Sequence, residues 1–422
     1  ISTFDDQGDV FEARLVSQGD NTLDWVVGAY YMDQDTDLSV RQFYYGYDDY
    51  ANSCFIETDS FGGAPCGFGT LFGIEEFNGP VPITKDEVYL VLQENEFTDR
   101  AVFGELTWNI TDAWQITGGA RYYDQDFDTT QVGGLEFVPD GIGSRSLDFS
   151  DSDTLFKFNT SYRLNDNTNL YAVWSEGFRR GGANGLPNEA FGEPINSNAF
   201  LYEPDTTENI EIGVKGTLAG AYQYSVAYYD VDWENMQANL SCTNLGLLCV
   251  LNVGDATSRG LEAEVNGYLT DNLDFVVSYT YNESELDNLS SNMKEFLADG
   301  TSFAEVVPGV DLPGASRNTW YMGSNYYQRL SNGSEVVYSL NGSYRGSAES
   351  SLDVYSVRVE SFWLWNAAVT YNAQQWDVRA FVNNIADERG LLGADSVALW
   401  GPRANAIVST PRTYGLTASY RF

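Results

Sequence analysis

Phe156-Lys157-Phe158-Asn159-Thr160-Ser161-Tyr162-Arg163-Leu164 sorts its side chains into two sets with a period of two. Phe156, Phe158, Tyr162 and Leu164 fall on one face, and Lys157, Asn159, Ser161 and Arg163 on the other. Successive side chains point to opposite sides only in a strand, so the stretch reads as β with one apolar and one polar face. The same alternation returns in residues 261–266, 336–345 and 376–383. It predicts fifteen strands, over 8–18, 23–40, 97–110, 113–130, 152–164, 168–178, 205–218, 221–240, 256–269, 272–287, 316–330, 334–346, 360–371, 375–387 and 409–422.

What joins these strands decides what kind of β protein they build. Short turns of hairpin-forming residues, such as Asn165-Asp166-Asn167, Ala219-Gly220 and Ser331-Asn332-Gly333, alternate with long polar connections. The long connections cover roughly residues 41–96, 131–150, 179–204, 241–256, 288–312, 346–360 and 389–408. A soluble sandwich has no reason to keep its long loops at one end. An outer-membrane barrel does, with short periplasmic turns and longer extracellular loops. No stretch approaches the ~18–20 unbroken apolar residues of a membrane helix, whereas barrel strands show lipid only every second side chain. Tyr, Phe and Trp make up 15% of the chain, which suits aromatic girdles at two water interfaces. The fold class is therefore all-β, a transmembrane antiparallel β-barrel.

The composition also removes functions. A net charge of −39 makes nucleic acid an implausible partner, because binding it requires basic groups to neutralise phosphates. The chain contains no His, so Ser-His-Asp, Cys-His and His-based zinc sites cannot be built within it. Cys54/Cys66 and Cys242/Cys249 form two close pairs in polar segments, which suggests loop disulfides made in an oxidising compartment. Ile1 opens directly in polar sequence, so a processed or preceding N-terminus is expected outside this chain.

Three sets of residues are candidates for chemistry. Asp33, Asp35 and Asp37, and again Asp124, Asp126 and Asp128, each place three carboxylates on one strand face towards the outer end. That spacing suits a shared Ca²⁺; the competing reading is a solvated acidic rim. Arg179 and Arg180 stand where a strand enters a long loop and offer donors to a carboxylate or phosphate on a cargo molecule, to lipopolysaccharide phosphates or to neighbouring acidic side chains. Tyr44, Tyr45, Tyr47 and Trp400 offer rings that can stack on a ligand or pack within their loops. No nucleophile or oxyanion site accompanies the carboxylates, so an enzyme is not expected and no cofactor is required.

The final stretch, Thr413-Tyr414-Gly415-Leu416-Thr417-Ala418-Ser419-Tyr420-Arg421-Phe422, puts Tyr414, Tyr420 and Phe422 on one face. An alternating aromatic strand ending in Phe resembles the signal that the barrel-assembly machinery reads in outer-membrane proteins. Four longer stretches resemble the TonB-dependent outer-membrane receptors: Tyr171-Ala172-Val173-Trp174-Ser175-Glu176-Gly177-Phe178-Arg179-Arg180-Gly181-Gly182, Tyr202-Glu203-Pro204-Asp205-Thr206-Thr207-Glu208-Asn209-Ile210-Glu211-Ile212-Gly213-Val214-Lys215-Gly216, Asn252-Val253-Gly254-Asp255-Ala256-Thr257-Ser258-Arg259-Gly260-Leu261-Glu262 and Phe381-Val382-Asn383-Asn384-Ile385-Ala386-Asp387. Their order and spacing cover the chain from about residue 10 to Phe422.

The resemblance implies a barrel of about 22 strands around an N-terminal plug, set in outer-membrane lipid and lipopolysaccharide. It also implies uptake of a scarce small-molecule ligand, energised by the inner-membrane TonB complex acting through the plug. Residues 1–422 would then be the C-terminal two-thirds of the barrel, with the plug and first strands elsewhere. Residues 181–201 lack the His that meets iron in haem receptors of this family, which argues against haem. Ferric siderophores, other metal chelates and oligosaccharides remain as cargo, and a passive porin-like barrel is the alternative.

Overall fold

A computed structural model describes residues 2–19, 21–43, 45–46, 87–135, 143–186, 188–190, 193–241, 248–298, 306–353, 356–396 and 404–422. Fifteen strands form one antiparallel sheet in chain order. They are β1 (Ser2–Val16), β2 (Leu23–Phe43), β3 (Glu87–Thr111), β4 (Trp114–Leu135), β5 (Gly143–Asn165), β6 (Thr168–Arg179), β7 (Asp205–Leu218) and β8 (Tyr222–Ser241). They continue as β9 (Leu248–Thr270), β10 (Leu273–Leu289), β11 (Asn318–Arg329), β12 (Glu335–Arg345), β13 (Phe362–Asn372), β14 (Trp376–Asn383) and β15 (Thr413–Tyr420). Each strand expected from the alternation is present.

The register stacks the apolar sets on one face. Trp25 lies opposite Leu106, Trp108 opposite Ile116, Phe158 opposite Gly118 and Trp174, and Ile210 opposite Trp174. Leu106, Phe158, Ile210 and Ile212 are all exposed on it. A continuous exposed apolar face of this extent is tolerated only against lipid. Aromatic pairs gather near the short-turn end: Tyr326 with Tyr338 at 6.1 Å, Trp376 with Tyr420 at 4.7 Å and Tyr420 with Phe422 at 5.1 Å between ring centroids. Tyr414, opposite Val382 and exposed, belongs to the same face.

Differences from the sequence reading gather at the long-loop end. β3 begins at Glu87, β5 at Gly143 and β9 at Leu248, each within a stretch expected to be loop. Ladder hydrogen bonds satisfy the backbone whatever the side chains are, so polar sequence continues a strand once it has left the lipid. A crossing needs about 9–11 residues, and β2 to β5 run 21–25, so they stand well above the membrane. A short helix, α1 (Ser291–Ala298), also forms where a loop was expected. Ser290 caps it, its hydroxyl accepting from the Met293 amide at 3.0 Å and donating to the Asn252 carbonyl at 2.8 Å.

Among the described residues β1 pairs only with β2 and β15 only with β14, and no ladder joins the two edges. The last connection is closed by Asn384, 4% exposed and held at φ 53°. Its side-chain amide donates to the carbonyls of Glu388 (2.8 Å) and Thr410 (2.9 Å) and accepts from the Glu388 amide (2.8 Å). Asn tolerates the left-handed region and its short amide can bond the nearby backbone, which explains an Asn at this corner.

Two outcomes test this arrangement. Asn384→Ala removes three side-chain hydrogen bonds to the backbone of Glu388 and Thr410 and is expected to cost about 1–3 kcal/mol, read by urea unfolding in bilayers. Ile212→Arg, on the apolar face, is expected to cost about 2–4 kcal/mol, whereas Asn209→Lys on the opposite face should change stability by less than about 0.5 kcal/mol.

Candidate ligand-binding site

The long connection after β6 folds back across the covered face of the sheet. Gln93 on β3 donates to the Ala183 carbonyl at 3.3 Å, and the Tyr89 hydroxyl to the Gly185 carbonyl at 3.2 Å. On the far side, the Asn184 amide stands in for a strand. It donates to the Val250 carbonyl at 2.7 Å and accepts from the Val250 amide at 2.8 Å. Leu186, Ile195 and Ala199 then join Met293 and Phe296 of α1 and Leu240, Leu251 and Val253 in one apolar cluster. Each fully buried side chain of this size contributes about 1.5–3 kcal/mol, so the connection is a packed element and not a solvated loop.

Between this connection, β5, β9 and α1 lies a cavity of about 580 Å³. Asp151, Asp153 and Glu203 bring carboxylates to its lining, Tyr123 and Tyr202 hydroxyls, and Asn198, Asn252 and Asn292 amides. Phe149 and Phe296 add apolar rings. Tyr123 is 1% exposed, stacks flat on Phe178 at 4.1 Å and donates to Asp151 at 2.9 Å. Asn252 binds the Glu203 backbone from both sides, accepting from its amide at 2.7 Å and donating to its carbonyl at 2.9 Å. Burial raises the Tyr202 hydroxyl above its ordinary pKa, partly offset by Arg180 and Arg179, so it remains a neutral donor.

The residues singled out from sequence fall in different places. Arg179 donates through Nε to both oxygens of Asp205, at 3.0 and 3.1 Å, and lies over the Trp233 ring. Asp205 is 1% exposed and also accepts from the Gln237 amide at 2.9 Å, so the pair anchors the end of the connection. Arg180 donates to Gln34 at 2.8 Å and rests on Phe97. Neither arginine lines the cavity. Tyr45 is 90% exposed and also stands apart from it. Tyr44, Tyr47, Trp400, Cys54, Cys66 and Cys242 lie outside the described residues. Cys249, buried at the start of β9, is disulfide-bonded.

The two acidic ladders share the outer face, above the lipid-facing set. Asp33 lies opposite Thr98, which lies opposite Asp126, and Asp35 opposite Glu96, which lies opposite Asp128. Glu94 and Glu96 of β3 therefore sit between the ladders, and Asp37 lies opposite Glu94. Arg100 reaches Asp124 at 3.3 Å and Asp126 at 3.0 Å. Among the described residues no group of three or more His, Cys, Asp or Glu is disposed to hold a metal ion. The cavity's own residues went unread in the sequence. Asp151-Ser152-Asp153 has the same period-two spacing as the ladders but straddles the expected start of a strand, where it looked like loop.

Comparison with known proteins agrees with this architecture. A family model described as "TonB dependent receptor-like, beta-barrel" matches residues 2–385. An uncharacterised TonB-dependent receptor of Haemophilus influenzae is 27% identical over 221 residues, 51% of this chain and 57% of that protein. A probable TonB-dependent siderophore receptor of Acinetobacter baumannii, PiuA, is 25% identical over 201 residues, 47% of this chain and 25% of that protein. The crystal structure of the ferric yersiniabactin uptake receptor FyuA of Yersinia pestis superposes with a TM-score of 0.74 at 17% identity, covering 100% of this chain and 55% of that one. The chain thus spans about half the length of the solved receptor it matches.

Asp205→Ala leaves the Arg179 guanidinium and the buried Gln237 amide without their acceptor, at an expected cost of about 1–3 kcal/mol. Limited proteolysis should then cut within residues 181–204 faster than in the parent protein, with the rest of the sheet still resistant.

Proposed function

The chain belongs to the TonB-dependent receptor β-barrel family, and on that premise we propose that it forms the ligand-facing part of an active transporter for a ferric siderophore or other metal chelate. Its place is the outer membrane, with the apolar face of the sheet against lipid. The observation that carries the reading is the cavity at the long-loop end, where polar groups and rings converge above the membrane-crossing strands. Such a recess, mostly preformed and lined by a few convergent polar groups, is what a small ligand needs. The names of the relatives lend support: one is a probable siderophore receptor, and the receptor it superposes on takes up ferric yersiniabactin.

The remaining parts follow from physical need. Lipid cannot satisfy the unpaired backbone groups of β1 and β15, so further strands complete a closed barrel of about 22. A plug within that barrel blocks free passage and couples the site to the TonB complex. On this reading the site binds its cargo without transforming it, as the receptor family and the siderophore receptors among its relatives suggest. A passive pore fits less well, because Ala183 and Asn184 bridge from Gln93 to Val250 across the covered face.

Iron-limited cells lacking the gene are expected to lose uptake of radiolabelled iron from at least one ferric chelate, and cells lacking TonB should show the same loss. Uptake that persists without TonB would assign a passive pore instead.

A further inference from the structure

We propose that the cavity takes a ligand presenting a protonated amine beside a flat or aromatic group, so that the transported chelate carries a cationic substituent. This rests on the uptake reading above and narrows its cargo.

The argument begins with the three carboxylates. Asp151 accepts from the Tyr123 hydroxyl (2.9 Å), Asp153 from the Thr154 amide (2.7 Å) and Glu203 from Asn235 (3.3 Å). In each case one oxygen is used, and the other has no donor among the described residues. None of the three forms an ion pair there, although other acids of the chain do, such as Asp205 and Asp311. Among the described residues no Lys or Arg lines the cavity. Two guanidiniums lie near enough to act on Tyr202. Arg179 is neutralised by Asp205, Arg180 is held by Gln34 and Phe97, and Arg145, further along β5, lies over Phe200 and donates to Asn188, so the three carboxylates of the lining outnumber the two cations near it that lack an acidic partner.

An anionic ligand entering this recess would lose water and meet like charge. An ammonium would instead gain charge-assisted hydrogen bonds to carboxylate oxygens that lack donors. Phe149 and Tyr202 supply ring faces for the same cation or for a flat group attached to it. Tyr202, Asn198 and Asn292 remain available as neutral donors to hydroxyl or carbonyl groups of the ligand. The lining therefore selects for charge at one end of the ligand and for shape at the other.

The test uses the full-length receptor in detergent and three probes of equal shape: phenethylammonium, 2-phenylethanol and phenylacetate. Calorimetry at low salt is expected to show saturable binding of the ammonium, at least about tenfold tighter than the alcohol, with the carboxylate weakest. Asp151→Asn combined with Asp153→Asn should bring the ammonium down to the affinity of the alcohol. Glu203→Gln, in the connection and away from the strands, gives an independent arm with a smaller loss in the same direction. Heat-modifiable migration on gels confirms that each variant is folded. Equal binding of ammonium and alcohol, tighter binding of the carboxylate, no saturable ammonium binding, or unchanged affinity in both variants would each overturn the inference. TonB-dependent iron uptake is read separately: if it stands while the charge preference is missing, only this inference fails, and if it is absent the uptake reading itself fails.

Discussion

Lipid offers no hydrogen bonds, and the whole arrangement depends on that fact. Every backbone amide and carbonyl within the membrane must find its partner on a neighbouring strand, which forces an unbroken antiparallel ladder from β1 to β15. Side chains are then free to differ on the two faces. One face meets lipid with Leu106, Phe158 and Ile212, and the other turns towards the interior with residues such as Glu105, Lys157 and Glu211. The short-turn end needs little more than tight hairpins, as at Ala219 and Gly220, whose φ values of 52° and 68° suit a two-residue turn. Among the described residues β1 and β15 are the two edges of this ladder.

Above the membrane water returns, and the physics changes. Backbone pairing is no longer compulsory, yet β2 to β5 continue well past the lipid and give the connection after β6 a wall to lean on. That connection is held by three devices of different kinds. They are the ion pair of Arg179 with buried Asp205, the Asn184 amide acting as a strand partner to Val250, and an apolar cluster shared with α1. Together they hold a cavity open beside the cluster. Acidic residues gather both in this recess and in the exposed acidic lattice that joins β2, β3 and β4 on the outer face.

Some features were legible because they are local. Period-two alternation names a strand from a handful of residues, and hairpin residues name a turn, so the fifteen strands and their order could be read along the chain. Strand starts at the long-loop end could not, because polar alternation in Gln93 to Asp99 or Ser144 to Asp151 is equally good loop sequence until a neighbouring strand pairs with it. The Arg179-Arg180 pair illustrates the same limit. As a motif it suits a cargo, lipopolysaccharide or a neighbouring acid alike; the acceptor for Arg179, Asp205, lies across the connection, and only folding brings the two together.

The all-β class, the strand count, the single end that gathers the long connections and the absence of histidine chemistry are written in the residues themselves, since each depends on neighbours close in the chain or on composition alone. The tertiary structure decided which carboxylates face a cavity and which face outward, and which arginines are spent on internal pairs. Those outcomes hang on contacts between residues such as Tyr123, Glu203 and Phe296, far apart in sequence and gathered only when the ladder, the connection and α1 close around the same space.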